Sequence, residues 1–245
     1  MKALACLAVV SVVLLSVGGP AVAQPEHNPL VDLAAEDFEI RQEASDALYL
    51  DETLSTEQLV GWYAQAEQPE VRQRLLAVAR HHFLRQMRLD TFPAEGPGSI
   101  GVVQSMQIEP PPIDADPKAQ RNRTTNTFAL VTRVLEGFPA SGRLHPLDRV
   151  VALDGQLLGA ANQNQRFEDL MGLYQAGDTL TLTVQRNGES LDIEIPLANR
   201  NALGAMYAFP EFGLTPDFDV AWTEYRQQHF PLVDNNLAPP SNDPE

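Results

Sequence analysis

Cysteine is nearly absent: Cys6 is the single one among 245 residues. A chain so poor in thiols has no disulfide framework and no cysteine-rich metal site. Cationic side chains are scarce too, with 17 Lys and Arg against 33 Asp and Glu and a formal net charge of -16. Such a surface repels phosphates and no basic cluster interrupts it, so nucleic acid is excluded as a partner. Long apolar runs are missing beyond the N-terminus, and the rest of the chain is expected to be soluble. Also missing are a glycine-rich phosphate loop, an HExxH pair and a glycine-framed nucleophilic serine. Asp148 and Asp154 fit turns better than an acid pair. His81 and His82 are adjacent in an expected helix and project from different faces, which is poor geometry for joint metal binding. No enzymatic activity, no metal and no cofactor are expected.

The chain opens with "MKALACLAVVSVVLLSVGGPAVA". An early Lys2, an uncharged core from Ala3 to Val17, a Gly18-Gly19-Pro20 break and a small-x-small end at Ala21-Val22-Ala23 read as a secretory signal over 1–23. Cys6 leaves with it. A membrane anchor is the alternative, but it needs about 20 apolar residues, and this core is shorter. Export without disulfides suits a bacterial periplasm or the cell exterior.

Residues 28–90 carry helical periodicity. Ile40, Ala44, Ala47 and Leu48 share one face. Ser55-Thr56-Glu57-Gln58 has the form of a capping box. Pro69 suits the first turn of a third helix bearing Val71, Leu75, Val78 and Phe83. "FEIRQEASDAL" and "PEVRQRLLAVA" place Arg41 and Arg72 alike, and the recurrence loosely resembles HEAT-type repeats. An ordinary three-helix unit fits as well, because a solenoid needs about three repeats to bury its faces.

Residues 96–198 change to strands and tight turns. Leu180, Leu182 and Val184 alternate with polar residues, Asn187-Gly188 supplies a hairpin turn, and Leu191, Ile193, Ile195 and Leu197 alternate back. "FEDLMGLYQAGD" is expected to be a short helix closed by Gly177. In "EGFPASGRLHPLDRVVALDG", Pro139 opens a helical turn and Gly142 ends it in the left-handed region. Leu144 then reaches the core, Asp148 accepts backbone hydrogen bonds and Asp154-Gly155 makes the next turn. The fold class is therefore α+β: an N-terminal helical region followed by a small β domain with one or two short helices.

The order of these turns resembles a PDZ domain of bacterial type, as found attached to exported HtrA-type proteases, here without the protease domain. Leu147 departs from the pattern, standing where glycine is usual before the aspartate. A long inserted loop at 104–127 departs as well. The resemblance implies a groove that takes an extended peptide as an added strand and holds its terminal carboxylate on backbone amides. The carboxylate loop then falls on Ser99, Ile100, Gly101 and Val102, unless "GPGS" is only a linker and Ile100 a core residue. The groove wall falls on Phe167, Leu170, Met171 and Tyr174 at helical spacing, a stripe that would equally suit a core. Phe167 near the helix start argues against a polar selector and for apolar ligand side chains. On the adaptor reading, replacing Gly101 with a bulky residue is expected to abolish peptide binding and leave the fold intact; with a groove filled by the chain itself, the same substitution is expected to destabilise the protein.

Residues 199–245 form an extension. Thr215 can cap and Pro216 can open an amphipathic helix at about 216–229, whose Phe218, Trp222, Tyr225 and His229 should be buried against the body. The tail "NNLAPPSNDPE" is expected to be disordered. The expected function is that of an exported, non-catalytic adaptor or scaffold for C-terminal or extended apolar segments of exported proteins. One alternative is a structural assembly protein whose groove is filled by its own loop or C-terminal helix. Another is an accessory subunit that delivers substrates to a separate exported protease. No stable membrane insertion is expected after signal cleavage, and homo-oligomerisation is left open.

Overall fold

Ser55 and Gln58 show how local chemistry sets the helices. The Gln58 amide donates to Ser55 Oγ at 3.2 Å and the Ser55 amide to Gln58 Oε1 at 2.9 Å, so this capping box starts α3 (Thr56–Gln65). It follows α1 (Pro29–Leu33) and α2 (Phe38–Leu50). The longest helix, α4 (Pro69–Thr91), has Pro69 in its first turn. It ends where Phe92 turns extended, the conformation required of a residue before proline. The computed structural model describes residues 28–108, 127–158, 163–207 and 213–230. The expected signal, most of the inserted loop and the tail lie outside them.

The β region contains β1 (Gly98–Ser99), β2 (Val102–Ile108), β3 (Thr127–Val134), β4 (Arg149–Leu153), β5 (Gln156–Leu157), α5 (Gln163–Met171), β6 (Thr179–Arg186), β7 (Glu189–Pro196) and β8 (Ala198–Asn199). One antiparallel sheet has the order β2-β3-β4-β6-β7, with β5 paired to β4, and β1 pairs separately with β8. Asn187 and Gly188, with φ of 52° and 86°, close the β6–β7 hairpin between Arg186 and Glu189. Positive φ at both turn positions matches the right-handed strand twist. Asp154 and Gly155 do the same between β4 and β5.

Three apolar clusters hold these parts together. The sheet core gathers Ile100, Val131, Leu144, Leu153, Leu180 and Ile195. The helical cluster packs Leu33, Leu59, Leu75 and Val78 against Trp222 and Phe230, which α7 (Pro216–His229) brings back from the far end of the chain. A third cluster lies between them: Leu84 of α4, Leu135 and Phe138 of the loop after β3, and Met206 and Tyr207 at the end of α6 (Asn201–Met206). No helix among the described residues is long and apolar enough to cross a membrane.

Two local expectations need correction. α5 stops at Met171 rather than running to Gly177. The Leu173 and Tyr174 amides bond to the carbonyls three residues back, at 3.1 and 3.3 Å, which tightens the last turn and ends the helix. Thr215 stands at the N-cap of α7, its carbonyl accepting from the Asp219 amide at 3.0 Å, but its side chain makes no capping bond and its hydroxyl donates instead to the Ala205 carbonyl at 3.1 Å. On the aromatic face of α7, Trp222 is buried, Phe218 and Tyr225 are half-buried and His229 is exposed.

Candidate functional site

β2 is an edge strand. It pairs with β3 from Val102 to Ile108, and among the described residues no strand lies on its other side. α5 lies alongside β2. Half-buried Val102 and Met106 of β2 pack into the sheet core. An open strand edge beside a helix presents unpaired backbone groups to an extended segment, with apolar side chains as its floor.

The four residues assigned to the carboxylate loop lie together at the head of β2, and each has structural duties. Ser99 is paired with Ala198. Ile100 is a core residue, and its carbonyl accepts from the Ala140 amide at 3.0 Å. The Gly101 carbonyl accepts from the Leu135 amide at 2.9 Å, while its own amide donates to Ser99 Oγ at 3.2 Å. Gly101 has φ of +80°, and a Cβ there would overlap the side chain of Phe138. The expectation that a bulky residue at 101 leaves the fold intact is therefore overturned. Glycine is required here for close approach of the Phe138 loop as well as for backbone conformation.

The helix side differs from the sequence reading. Phe167, Leu170 and Met171 are buried in the sheet core. Tyr174 lies past the end of α5, where its carbonyl accepts from the Gly98 amide at 3.0 Å. Its hydroxyl donates to Asp154 Oδ2 at 2.6 Å, and this bond pushes the phenol up to about 12. Tyr174 thus ties the approach to the carboxylate loop to the Asp154 turn. Phe167 is not near the helix start, because Gln163, Asn164, Gln165 and Arg166 precede it. The argument from Phe167 against a polar selector falls with that placement.

What sequence reasoning missed lies behind the groove. The turn from Glu136 to Gly142 is seated on α2 and α4. The Gly137 amide donates to His81 Nδ1 at 3.0 Å, and the Gly137 carbonyl accepts from Arg88 Nε at 2.7 Å. A Cβ on Gly137 would come within 2.9 Å of Leu84 Cβ, and one on Gly142 within 2.7 Å of Tyr49 Cβ. Tyr207 donates to the Glu136 carbonyl at 2.6 Å, and the Glu136 carboxylate pairs with Arg80 at 2.9 Å. His145 Nε2 reaches Asp46 Oδ2 at 2.7 Å. Burial, followed by the neighbouring His82, pushes the His81 imidazole down to about 3, so it is neutral with its proton on Nε2. Burial raises the Glu136 carboxyl and Arg80 partly offsets it. A histidine pair on one helix and a glycine in the docked turn were the available signals, but nothing in the sequence joins them.

The next loop is held by Asp148, which is 2% exposed. It accepts from the His145 amide at 2.8 Å and from both Nε and Nη2 of Arg186, at 2.8 and 2.6 Å. Leu147 beside it has φ of 78° and is 75% exposed. The departure seen in sequence is thus a side chain in a backbone region that favours glycine.

Residues 100–197 match the family model described as PDZ domain, and this stretch of the chain is a PDZ domain. Among solved structures the chain is similar to the HtrA-type protease AlgW with a decapeptide, at 20% identity and a TM-score of 0.31, covering 42% of this chain and 30% of that one. It is also similar to a variant of that protease with a decapeptide, at 16% identity and a TM-score of 0.30, covering 49% of this chain and 34% of the other. The chain therefore spans about a third of the length of these proteases. No curated protein matches it.

Proposed function

We propose that this chain is an exported, non-catalytic adaptor that binds extended peptide segments along β2. The observation that carries the reading is the edge of β2, unpaired among the described residues, beside α5 within a PDZ domain. A segment laid there continues the antiparallel sheet, its main chain supplying hydrogen bonds and Val102 and Met106 an apolar floor. The helical region serves as a rigid mount, joined to the PDZ domain by the cluster around Leu84, Phe138 and Tyr207.

A groove filled by the C-terminal helix is disfavoured, because α7 rests on α4. Its Trp222 and Tyr225 lie 5.6 and 4.8 Å from Phe83. The test is a peptide-library screen with free and amidated C-termini, repeated on Met106→Glu, which places a carboxylate on the groove floor. Loss of at least tenfold in affinity, about 1.4 kcal/mol, is expected for the variant, with its circular dichroism unchanged. Selective binding destroyed by amidation assigns carboxylate capture to the loop at Ser99–Val102. Peptide binding indifferent to Met106→Glu would remove the groove from consideration.

A further inference from the structure

Between α2, α4 and the Glu136–Gly142 turn lies a cavity of about 180 Å³, on the side of the molecule that mounts the PDZ domain. Among the described residues its charged lining is Arg85, Arg88, Arg143 and Glu52, with His81 beside them. Three guanidinium groups thus meet one carboxylate, in a chain whose formal net charge is -16. Glu52 is engaged by Arg85 at 3.1 Å. Arg143 donates through Nη1 to the Pro139 carbonyl at 2.9 Å.

Arg88 is the most informative of the three. It is 6% exposed, lies over the Phe138 ring at 5.5 Å and uses Nε on the Gly137 carbonyl. Among the described residues its terminal nitrogens have no acceptor. The Arg88 guanidinium lines the cavity, and a second cation, Arg85, stands next to it, a juxtaposition that a bound anion would relieve. Burial and the Arg85 charge both pull the Arg88 guanidinium below its ordinary value, to about 10. Burial likewise lowers Arg143, partly offset by Glu52. His81 is held neutral among them and adds no charge.

We propose that this cavity binds a small oxyanion, a phosphate or a carboxylate group, between Arg88 and Arg143 with Arg85 at its edge. Guanidinium forks match the paired oxygens of either group. The volume is below the range of about 300–1,000 Å³ usual for larger organic ligands, which restricts the occupant to a small anion. Bound there, the anion bridges α4 and the PDZ turn and strengthens the joint between mount and domain.

The experiment is isothermal titration of the full chain with sodium phosphate and, separately, sodium acetate, with chloride holding ionic strength constant. Saturable binding of one or both is expected, and the tighter of the two names the source of the oxyanion. Arg143→Gln should weaken it at least tenfold. Arg85→Gln provides the same readout should Arg143→Gln fail to fold. Met106→Glu should leave the anion affinity unchanged, which separates this site from the peptide groove. Absence of saturable heat with both anions overturns the proposal, as does equal affinity in the arginine variants.

Discussion

Gly101 and Phe138 pack so closely that even a methyl group on Gly101 would overlap the Phe138 Cβ and Cγ. The contact joins the head of β2 to the turn seated on the helices. It makes Gly101 a structural residue of the joint as well as a residue of the candidate carboxylate loop.

Gly101→Ala should therefore unfold at lower denaturant. The left-handed backbone conformation and the overlap together are expected to cost about 2–4 kcal/mol. Urea unfolding followed by circular dichroism measures this. An unchanged midpoint would mean that the Phe138 loop can retreat at no cost.

Leu147 sets up the opposite outcome. Its side chain is exposed and its φ is 78°, so Leu147→Gly removes backbone strain and sacrifices little packing. After the entropy that glycine restores to the unfolded chain, a net gain of about 0.5–1 kcal/mol is expected. A midpoint that falls in the variant would show that the leucine makes a contribution its exposure does not reveal.

His81 makes stability depend on pH. Its folded value of about 3 lies below the ordinary histidine value of 6.5. The unfolded chain therefore binds the proton more readily, and the stabilisation present above pH 6.5 is lost as pH falls. The loss is about 1.4 kcal/mol per pH unit once below that value. His82, also lowered by burial, acts in the same sense, and Glu136, raised by burial, acts in the opposite one. Denaturation at pH 7 and at pH 5 should show the drop. His81→Asn, which keeps an acceptor for the Gly137 amide, should flatten it. An equal slope in the variant would remove His81 from the account.

Arg186 and Asp148 form a two-point ion pair over a carboxylate that is almost fully buried. Arg186→Met leaves that charge, among the described residues, with the His145 amide as its one remaining partner, at an expected cost of about 3–5 kcal/mol. Asp148→Asn in the same chain should recover part of it. Thermal melts of the single and double variants measure the difference. Failure of the double variant to improve on the single would show that the arginine acts by packing instead.

The PDZ fold was legible because its signals are local. Asn187-Gly188, Asp154-Gly155 and Gly142 all take the positive φ that their turns call for, and Leu180, Leu182 and Val184 alternate into the core. Leu147 could be singled out because a side chain stood where the pattern wants glycine. Phe167, Leu170 and Met171 share a buried face, but periodicity alone did not locate the start of α5 at Gln163 or its end at Met171.

By itself, then, the sequence determined the α+β class, the PDZ domain and the helix that begins at Pro216, because turn geometry, capping and alternation act over a few neighbouring residues. Only the tertiary structure decided that the Glu136–Gly142 turn is seated on His81, Leu84 and Arg88, and that Trp222 returns to the helical cluster. It also decided that Arg143 meets Arg85 and Arg88 around one cavity. These partners are far apart along the chain. Their pairing depends on which apolar faces find each other in the folded state, and that information is distributed over the whole sequence rather than written in any short stretch of it.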